Sequence, residues 1–347
     1  MRLLILGTGG MARGHAGHFA AIRGVKVVAC VDTRPEVVTA FAGTYNIQKT
    51  FTSLEDALDW GRFDAVANVT PDAVHHETTM KCLAAGKHVF CEKPLATDYA
   101  HAREMADAAE AKGLVNMVNL SYRNVAQLHK ARALVESGKL GTIRHIEASY
   151  LQSWLTQPLW GHWDKDPQWL WRLSTAHGSN GVLGDIGIHI LDFAVFAAGM
   201  APTEVFCRLH TFPKAPGDRI GEYVLDANDS FVMSLGFENG AIGVMHASRW
   251  ASGHFNDLKL RLYGEKGGLE LTHRLDGTEL RVCLDRNLEK AAWTEIAAKP
   301  VETNYQSFAR AVKSGVTREP GFRHAAELQR VLDLAIAADR HNAAQSV

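Results

Sequence analysis

Asp185, His189 and Asp192 recur at positions i, i+4 and i+7 in an otherwise apolar stretch of the chain. On a helix this spacing places the three side chains on one stripe. A carboxylate beside an imidazole holds the histidine in one tautomer and makes it a proton acceptor near neutral pH. The stripe therefore predicts an acid/base device, although the same spacing is also typical of a hydrogen-bonded polar face inside a protein.

A glycine-rich turn follows the first apolar segment of the chain. Residues 1–7 predict a strand that runs into the pattern G-x-G-x-x-A, with Gly7, Gly9 and Ala12 at the fixed positions. The first glycine permits a tight turn, the second lets backbone amides approach a pyrophosphate, and the small alanine lets the next helix pack against the strand. We therefore expect a dinucleotide-binding loop made of Gly7, Gly9, Gly10, Met11 and Ala12.

An acidic residue stands where such a loop requires one. A second predicted strand, residues 25–31, ends at Asp32, whose carboxylate can accept hydrogen bonds from both ribose hydroxyls. A carboxylate repels the 2′-phosphate of NADP, so Asp32 favours NAD, while Arg34 offers a cation for that phosphate and leaves NADP open. The plain alternative is that Asp32 only begins the turn before Pro35.

Composition excludes several classes of protein. The chain has 347 residues, more than one core usually supports, and its net charge of −1 comes without a basic run, so nucleic-acid and anionic-membrane binding are not expected. The five cysteines stand singly, without C-x-x-C or the spacing of a metal site, and no apolar run reaches the length of a membrane span. We expect reduced thiols, no metal and a cytoplasmic location.

The texture of the sequence changes near residue 121. Before it, apolar runs alternate with helical patterns, which predicts a doubly wound parallel sheet of the Rossmann type over residues 1–121. In residues 122–347 the connections between strand-like runs are too short for helical crossovers, which predicts an open, largely antiparallel sheet in an α+β domain. Asn239 and Gly240 form a strong hairpin signal between two of these runs. The fold class is thus α/β followed by α+β.

The chain resembles the glucose-fructose oxidoreductase/inositol dehydrogenase/MocA family of NAD(P)-dependent oxidoreductases. The resemblance rests on residues 7–12, on Thr70 and Pro71 with His75, on residues 86–95 and on residues 184–192. The combination of Glu92, Lys93 and Pro94 with the later D-x-x-x-H is specific to this family in a way that the glycine motif is not. One departure is Asp72, where the family more often has asparagine, and it concerns loop geometry more than class.

The resemblance implies roles for particular residues. Thr70, Pro71, His75, Glu92 and Lys93 are expected at the cofactor, and Tyr122 and Arg123 at the substrate. For oxidation of a secondary alcohol, His189 is expected to accept the hydroxyl proton and Lys93 to stabilise the developing alkoxide. Asp185 is expected either to bind a substrate hydroxyl or to orient the imidazole.

Five of the eight tryptophans lie within residues 154–171, just before the Asp/His stripe. Aromatic faces stack on the C–H faces of sugar rings, so these residues suggest a carbohydrate or polyol pocket, with Trp163 and Arg172 as its expected members. Tryptophans also dominate protein cores and oligomer interfaces, and that reading stays open.

We therefore expect an NAD(P)-dependent dehydrogenase or reductase acting on a sugar, polyol or sugar derivative, assembled as a homodimer or homotetramer. Two alternatives remain. The first is an NAD-dependent glycoside hydrolase that uses transient oxidation, as some relatives do, and the second is a cofactor-binding regulator without turnover. A regulator is expected to lack the catalytic set, whereas Lys93, Asp185 and His189 are all present.

Overall fold

The structure is a computed structural model that describes residues 1–158 and 160–347. The chain forms two compact units. One consists of Met1–Asn124 with Glu302–Gln329, and the other of Val125–Val301 with Arg330–Val347. Each unit is described by itself below.

Six short strands form the sheet of the first unit. They are β1 (Arg2–Leu6), β2 (Lys26–Val31), β3 (Lys49–Phe51), β4 (Ala65–Asn68), β5 (His88–Cys91) and β6 (Asn116–Val118). All pairs are parallel and the order is β3-β2-β1-β4-β5-β6. This is a doubly wound sheet, as expected from the sequence. The order in which successive strands are added reverses between β1 and β4, and ligands bind at this point in such folds.

The connections of this sheet are helices. They are α1 (Gly10–Ala20), α2 (Pro35–Tyr45), α3 (Leu54–Trp60), α4 (His75–Ala84) and α5 (Tyr99–Ala111). Side chains cap two of them, because Ser53 accepts from the Asp56 N–H and Asp98 from the His101 N–H. The small Ala12 and Ala16 of α1 are buried in the core against the strands, as the close-packing alanine of the glycine motif predicted.

The second unit contains a sheet of nine strands and a separate two-stranded ribbon. The strands of the sheet are β7 (Ile143–Gln152), β8 (Pro202–His210), β11 (Ser230–Phe237), β12 (Ile242–Ser248), β13 (Asn256–Gly264), β14 (Gly267–Arg274), β15 (Gly277–Leu284), β16 (Thr294–Glu295) and β17 (Gln345–Ser346). The ribbon consists of β9 (Arg219–Ile220) and β10 (Tyr223–Val224). The order in the sheet is β16-β15-β14-β13-β7-β12-β11-β8-β17. β7 and β12 pair in parallel and the other pairs are antiparallel, which confirms the predicted sheet type. β11 and β12 form the hairpin predicted at Asn239 and Gly240.

Helices of the second unit pack on one face of this sheet. They are α6 (Ala126–Glu136) and α8 (Ile188–Ala198), and a π-helical turn (Leu183–Gly187) precedes α8. A short helix, α7 (Pro167–Leu170), lies between β7 and this turn. α8 contacts β7 and β13, and α6 contacts β14 and β15. Alternate residues of the strands point to the other face, where Val232 is 58% and Ile242 61% exposed.

Two further helices complete the chain, α9 (Asn304–Ser314) and α10 (Phe322–His341). Thr303 and Gln306 form a capping box at the start of α9. Short 3₁₀ turns lie at Asp72–Val74, Ser121–Asn124, Trp171–Leu173, Thr175–His177, Pro216–Asp218 and Asp285–Lys290. Among the described residues, no helix combines the length and the apolar character that crossing a bilayer requires.

Candidate functional site

The turn after β1 leaves open space before the N-terminus of α1. Gly7 has a φ of 86°, and a Cβ built on it would lie 2.6 Å from the backbone oxygen of Val69, so only glycine fits. A Cβ on Gly9 or Gly10 would meet no described atom within 4 Å beyond its chain neighbours. Free backbone N–H groups at a helix start with room in front of them suit a pyrophosphate. The loop therefore fits the dinucleotide cofactor predicted for it.

Asp32 follows β2 and its carboxylate is buried and well satisfied. Oδ2 accepts from the N–H and the hydroxyl of Thr8, at 3.0 and 2.9 Å. Arg34 donates through Nε to Oδ1 at 2.9 Å and through Nη2 to Oδ2 at 3.1 Å. Burial opposes ionisation, but the hydrogen bonds from Arg34 and Thr8 outweigh it and hold the pKa of Asp32 well below its usual range. Asp32 is therefore a carboxylate at every working pH.

The Arg34 side chain is 58% exposed, whereas that of Asp32 is 7% exposed. The guanidinium therefore faces solvent and has room to move, although its two hydrogen bonds to the buried carboxylate must break when it does. Arg34 therefore occupies the oxygens that a ribose would use and can leave them when a ribose arrives.

The turn after β4 is held by hydrogen bonds within the first unit. The Asn68 side-chain oxygen accepts from the Thr70 hydroxyl at 2.7 Å, and its amide donates to the hydroxyls of Thr78 and Thr79 on α4. Both ring nitrogens of the fully buried His75 lie against backbone carbonyl oxygens of the protein. These contacts favour a positioning role for His75 over a direct cofactor contact.

The segment after β5 carries Glu92, Lys93 and Pro94. The buried Glu92 accepts from His15 Nε2 at 2.7 Å and from the Asn119 amide at 2.6 Å, and its other oxygen accepts from the Lys93 N–H at 3.1 Å. Burial opposes ionisation, yet His15 and Asn119 outweigh it and lower the pKa of Glu92 to about 2. Glu92 therefore fixes the backbone of Lys93, whose side chain is half-buried. The peptide between Lys93 and Pro94 is cis.

Tyr122 and Arg123, predicted at the substrate, lie on the 3₁₀ turn after β6. Arg123 is buried and donates from Nη2 to His324 Nε2 at 2.9 Å. Tyr122 is half-buried. Because its guanidinium is turned into the first unit, Arg123 is better suited to anchoring the turn than to contacting a ligand.

In the second unit, Asp185 and His189 lie at the start of α8. Asp185 belongs to the π-helical turn. His189 and Asp192 belong to α8, and both are buried. The spacing of Asp185, His189 and Asp192 predicts a helix, and the structure forms one that begins with a π turn. Asn228 accepts from the Val182 and Leu183 N–H groups at 2.7 and 3.1 Å, and it thereby fixes how the chain enters the turn. π turns of this kind often occur at functional sites.

Two arginines hold the Asp185 carboxylate. Arg249 donates from Nη2 to Asp185 Oδ2 at 3.1 Å, and Arg172 from Nη1 to the same oxygen at 3.4 Å. Arg249 also donates from Nη1 to the Arg172 carbonyl at 3.1 Å, and its guanidinium lies 5.0 Å from the ring centre of Trp154. Its side chain is 1% exposed, and burial lowers the pKa of Arg249 while Asp185 opposes that effect. Asp185 is therefore a fixed carboxylate.

Arg249 was missed by sequence reasoning, although a signal for it exists. It directly follows β12, in which Met245 and Ala247 point inward, and the alternation of a strand places Arg249 on the same inward side. An arginine at an inward position needs a buried acceptor, because arginine is almost never fully buried unless it is paired.

The tryptophans pack together in the second unit. Trp154 and Trp169 lie 5.8 Å apart, Trp160 stacks near Trp169 at 6.2 Å, and the Trp163 ring N–H donates to the Leu155 carbonyl at 3.2 Å. Trp171 is different, since it is 37% exposed and carries the Arg172 guanidinium 4.7 Å from its ring centre. Trp154 is buried, whereas Trp160, Trp163 and Trp169 are half-buried, and Trp171 with Arg172 is the exposed edge of the cluster.

Comparison with known proteins identifies both parts of the chain. Residues 1–120 match the model of the oxidoreductase family with an NAD-binding Rossmann fold, and residues 128–270 match the model of the GFO/IDH/MocA C-terminal domain. The two matches together span more than half of the chain.

Named relatives agree with these matches. Levoglucosan dehydrogenase of Pseudarthrobacter phenanthrenivorans is 27% identical over 289 residues, which is 76% of this chain and 72% of that protein. D-glucoside 3-dehydrogenase of Escherichia coli is 30% identical over 251 residues, which is 70% of this chain and 68% of that protein. A solved levoglucosan dehydrogenase in complex with NADH, 22% identical, superposes with a TM-score of 0.88 over 100% of this chain and 99% of that one, which shows the same fold.

Proposed function

Because the chain belongs to the GFO/IDH/MocA family of NAD-dependent oxidoreductases, we propose that it transfers a hydride between the cofactor and a secondary hydroxyl or ketone of a sugar, polyol or sugar derivative. The proposal rests mainly on one observation: the chain has both a dinucleotide-binding loop and the residues Lys93, Asp185 and His189 of the family pattern. The relatives named above are a levoglucosan dehydrogenase and a D-glucoside 3-dehydrogenase, which supports a carbohydrate substrate.

Each of these side chains has a task in alcohol oxidation. The bound nicotinamide supplies the hydride acceptor. His189 accepts the hydroxyl proton, and the Lys93 ammonium stabilises the negative charge that develops on the substrate oxygen. Asp185, fixed by Arg249 and Arg172, accepts a hydrogen bond from a neighbouring substrate hydroxyl. A carboxylate held in this way orients a polyol without moving during the reaction.

Under the same proposal the two parts of the chain have different roles. Residues 1–121 bind the cofactor and residues 122–347 bind the substrate and form the oligomer. NAD is the preferred cofactor, because Asp32 is ionised and disfavours the 2′-phosphate of NADP.

We propose a homodimer or homotetramer formed through the face of the nine-stranded sheet that carries Val232 and Ile242. Both side chains are more than half exposed, and exposed apolar positions that cluster on a surface mark protein contacts. We also place the protein in the cytoplasm, because its five cysteines are buried free thiols, as expected in a reducing compartment.

The test is a panel of sugars, polyols and glycosides incubated with NAD or NADP and followed by NADH or NADPH absorbance. The proposal expects stoichiometric NADH with at least one carbohydrate, and no turnover when Lys93→Met protein is used. Release of an aglycone without net NADH would instead support the glycoside hydrolase. NAD binding with no turnover on any member of the panel would support the regulator.

A further inference from the structure

The ring of His75 bridges two backbone turns of the first unit. Its Nδ1 lies 2.8 Å from the carbonyl oxygen of Pro94, and its Nε2 lies 2.8 Å from the carbonyl oxygen of Thr70. The residue is 0% exposed. One turn follows β4 and the other follows β5, so the ring joins the ends of two neighbouring strands of the sheet.

The two acceptors determine the charge of the ring. A backbone carbonyl oxygen only accepts hydrogen bonds, and a neutral imidazole has one N–H and one lone pair. In the neutral form one nitrogen would present its lone pair to a carbonyl oxygen at 2.8 Å, away from water, which is repulsive. The imidazolium donates to both oxygens. We propose that His75 is a buried imidazolium that positions the Thr70 turn and the Lys93–Pro94 turn together.

Two titratable side chains act on the ring besides the carbonyl oxygens. The titratable groups that act on it are Cys91 on β5 and Asp72 on the turn before α4. Burial alone would lower the pKa of His75, but Cys91, Asp72 and the Pro94 carbonyl outweigh burial and raise the pKa from 6.5 to about 10. Because the folded pKa lies above the unfolded one, the protonated ring stabilises the fold fully below pH 6.5, and this stabilisation is lost as the pH rises through about 10.

His75 and Glu92 both hold the backbone on either side of Lys93. Glu92 Oε2 accepts the Lys93 N–H at 3.1 Å, and His75 donates to the carbonyl of the following residue, Pro94. An imidazolium and a carboxylate, both buried, thus fix the peptide that carries the Lys93 side chain. The catalytic consequence rests on the function proposed above for Lys93, whereas the charge of His75 does not.

The charge is measured directly by NMR on the intact wild-type protein without substrate. In protein labelled with ¹⁵N-histidine, both ring nitrogens of His75 are expected at protonated chemical shifts from pH 6 to pH 8, with titration well above pH 8. A neutral tautomer of His75 at pH 7 would overturn the proposal, whether or not the protein is a dehydrogenase.

The positioning role is tested with two amides that each keep one donor. His75→Asn places its NH₂ near the site of Nδ1 and keeps the link to Pro94, whereas His75→Gln keeps the link to Thr70. We expect His75→Gln to lower kcat about tenfold with less change in NAD affinity, and His75→Asn to weaken NAD binding more than it lowers kcat. His76→Gln is the matched control, since the neighbouring His76 pairs with Glu104 at the surface.

Equal effects of the two amides on kcat and on NAD affinity, or effects no larger than those of His76→Gln, would contradict the positioning role. If either amide variant fails to fold, the wild-type NMR titration still decides the charge of the ring.

Discussion

Removing the Arg249 guanidinium should destabilise the second unit strongly. Arg249→Met keeps most of the side-chain volume but deletes the hydrogen bonds to Asp185 Oδ2 and to the Arg172 carbonyl, each 3.1 Å long. Breaking a buried ion pair by removing one partner costs about 3–5 kcal/mol. Asp185 is 25% exposed and still has Arg172 at 3.4 Å. We therefore expect the free energy of unfolding to fall by about 3 kcal/mol, the lower end of that range.

The assay is urea unfolding followed by tryptophan fluorescence. Trp154 lies beneath the Arg249 guanidinium and Trp169 lies 5.8 Å from Trp154, so the signal comes from the region that changes. We expect the unfolding midpoint to move to lower urea. Arg144→Met is the control, because Arg144 pairs with Glu265 at the surface of the same unit and its loss should leave the midpoint unchanged.

A double variant separates the ion pair from simple packing. Because Asp185 is the charge that Arg249→Met leaves behind, Arg249→Met with Asp185→Leu should recover part of the loss, about 1–2 kcal/mol. If Arg249→Met shifts the midpoint no more than Arg144→Met does, the buried pair contributes no net stability and the reasoning is wrong.

Three further predictions concern the cofactor loop, cofactor choice and assembly. Gly7→Ala should abolish detectable NAD binding by calorimetry, since its Cβ would meet the Val69 oxygen, whereas Gly14→Ala, with open space around it, should bind normally. Asp32→Ala should raise the KM for NAD and thereby reduce the preference for NAD over NADP, measured as the ratio of the two kcat/KM values. If the wild type binds NADP more tightly than NAD, Arg34 rather than Asp32 determines the choice of cofactor. Light scattering at micromolar concentration should give a dimer or tetramer that Ile242→Asp dissociates, and a monomeric wild type would refute this interface.

Local patterns were enough to predict most of the fold. The strand, the glycine turn and Asp32 lie close together in the sequence and predicted the Rossmann sheet, which the structure confirms. The hairpin at Asn239 and Gly240 is likewise a local signal and is confirmed. These features depend on residues close in sequence, where propensity and spacing determine the backbone.

Contacts between distant residues could not be predicted in this way. Arg249 and Asp185 are separated by 64 positions, and Glu92 and His15 by 77. Helical spacing alone did not reveal the π turn at Asp185, where the Leu183 N–H donates to Asn228, a residue in a connection later in the chain. The tryptophan run likewise does not reveal which ring is exposed, since that depends on how the cluster folds.

The most direct test of the central proposal is the pH dependence of kcat/KM for oxidation, measured for wild type and for His189→Ala on a substrate found in the panel. In the wild type, kcat/KM should rise with pH through the range in which histidine titrates, and His189→Ala should flatten that limb and lower kcat about a hundredfold while NAD affinity changes much less. The double variant His189→Ala with Lys93→Ala should lose far less kcat than the product of the two single decreases, because both side chains act on one transition state. A His189→Ala enzyme with near-normal kcat and an unchanged pH profile would contradict the account, and the base would lie elsewhere, with Lys93 or Tyr122 next to be tested.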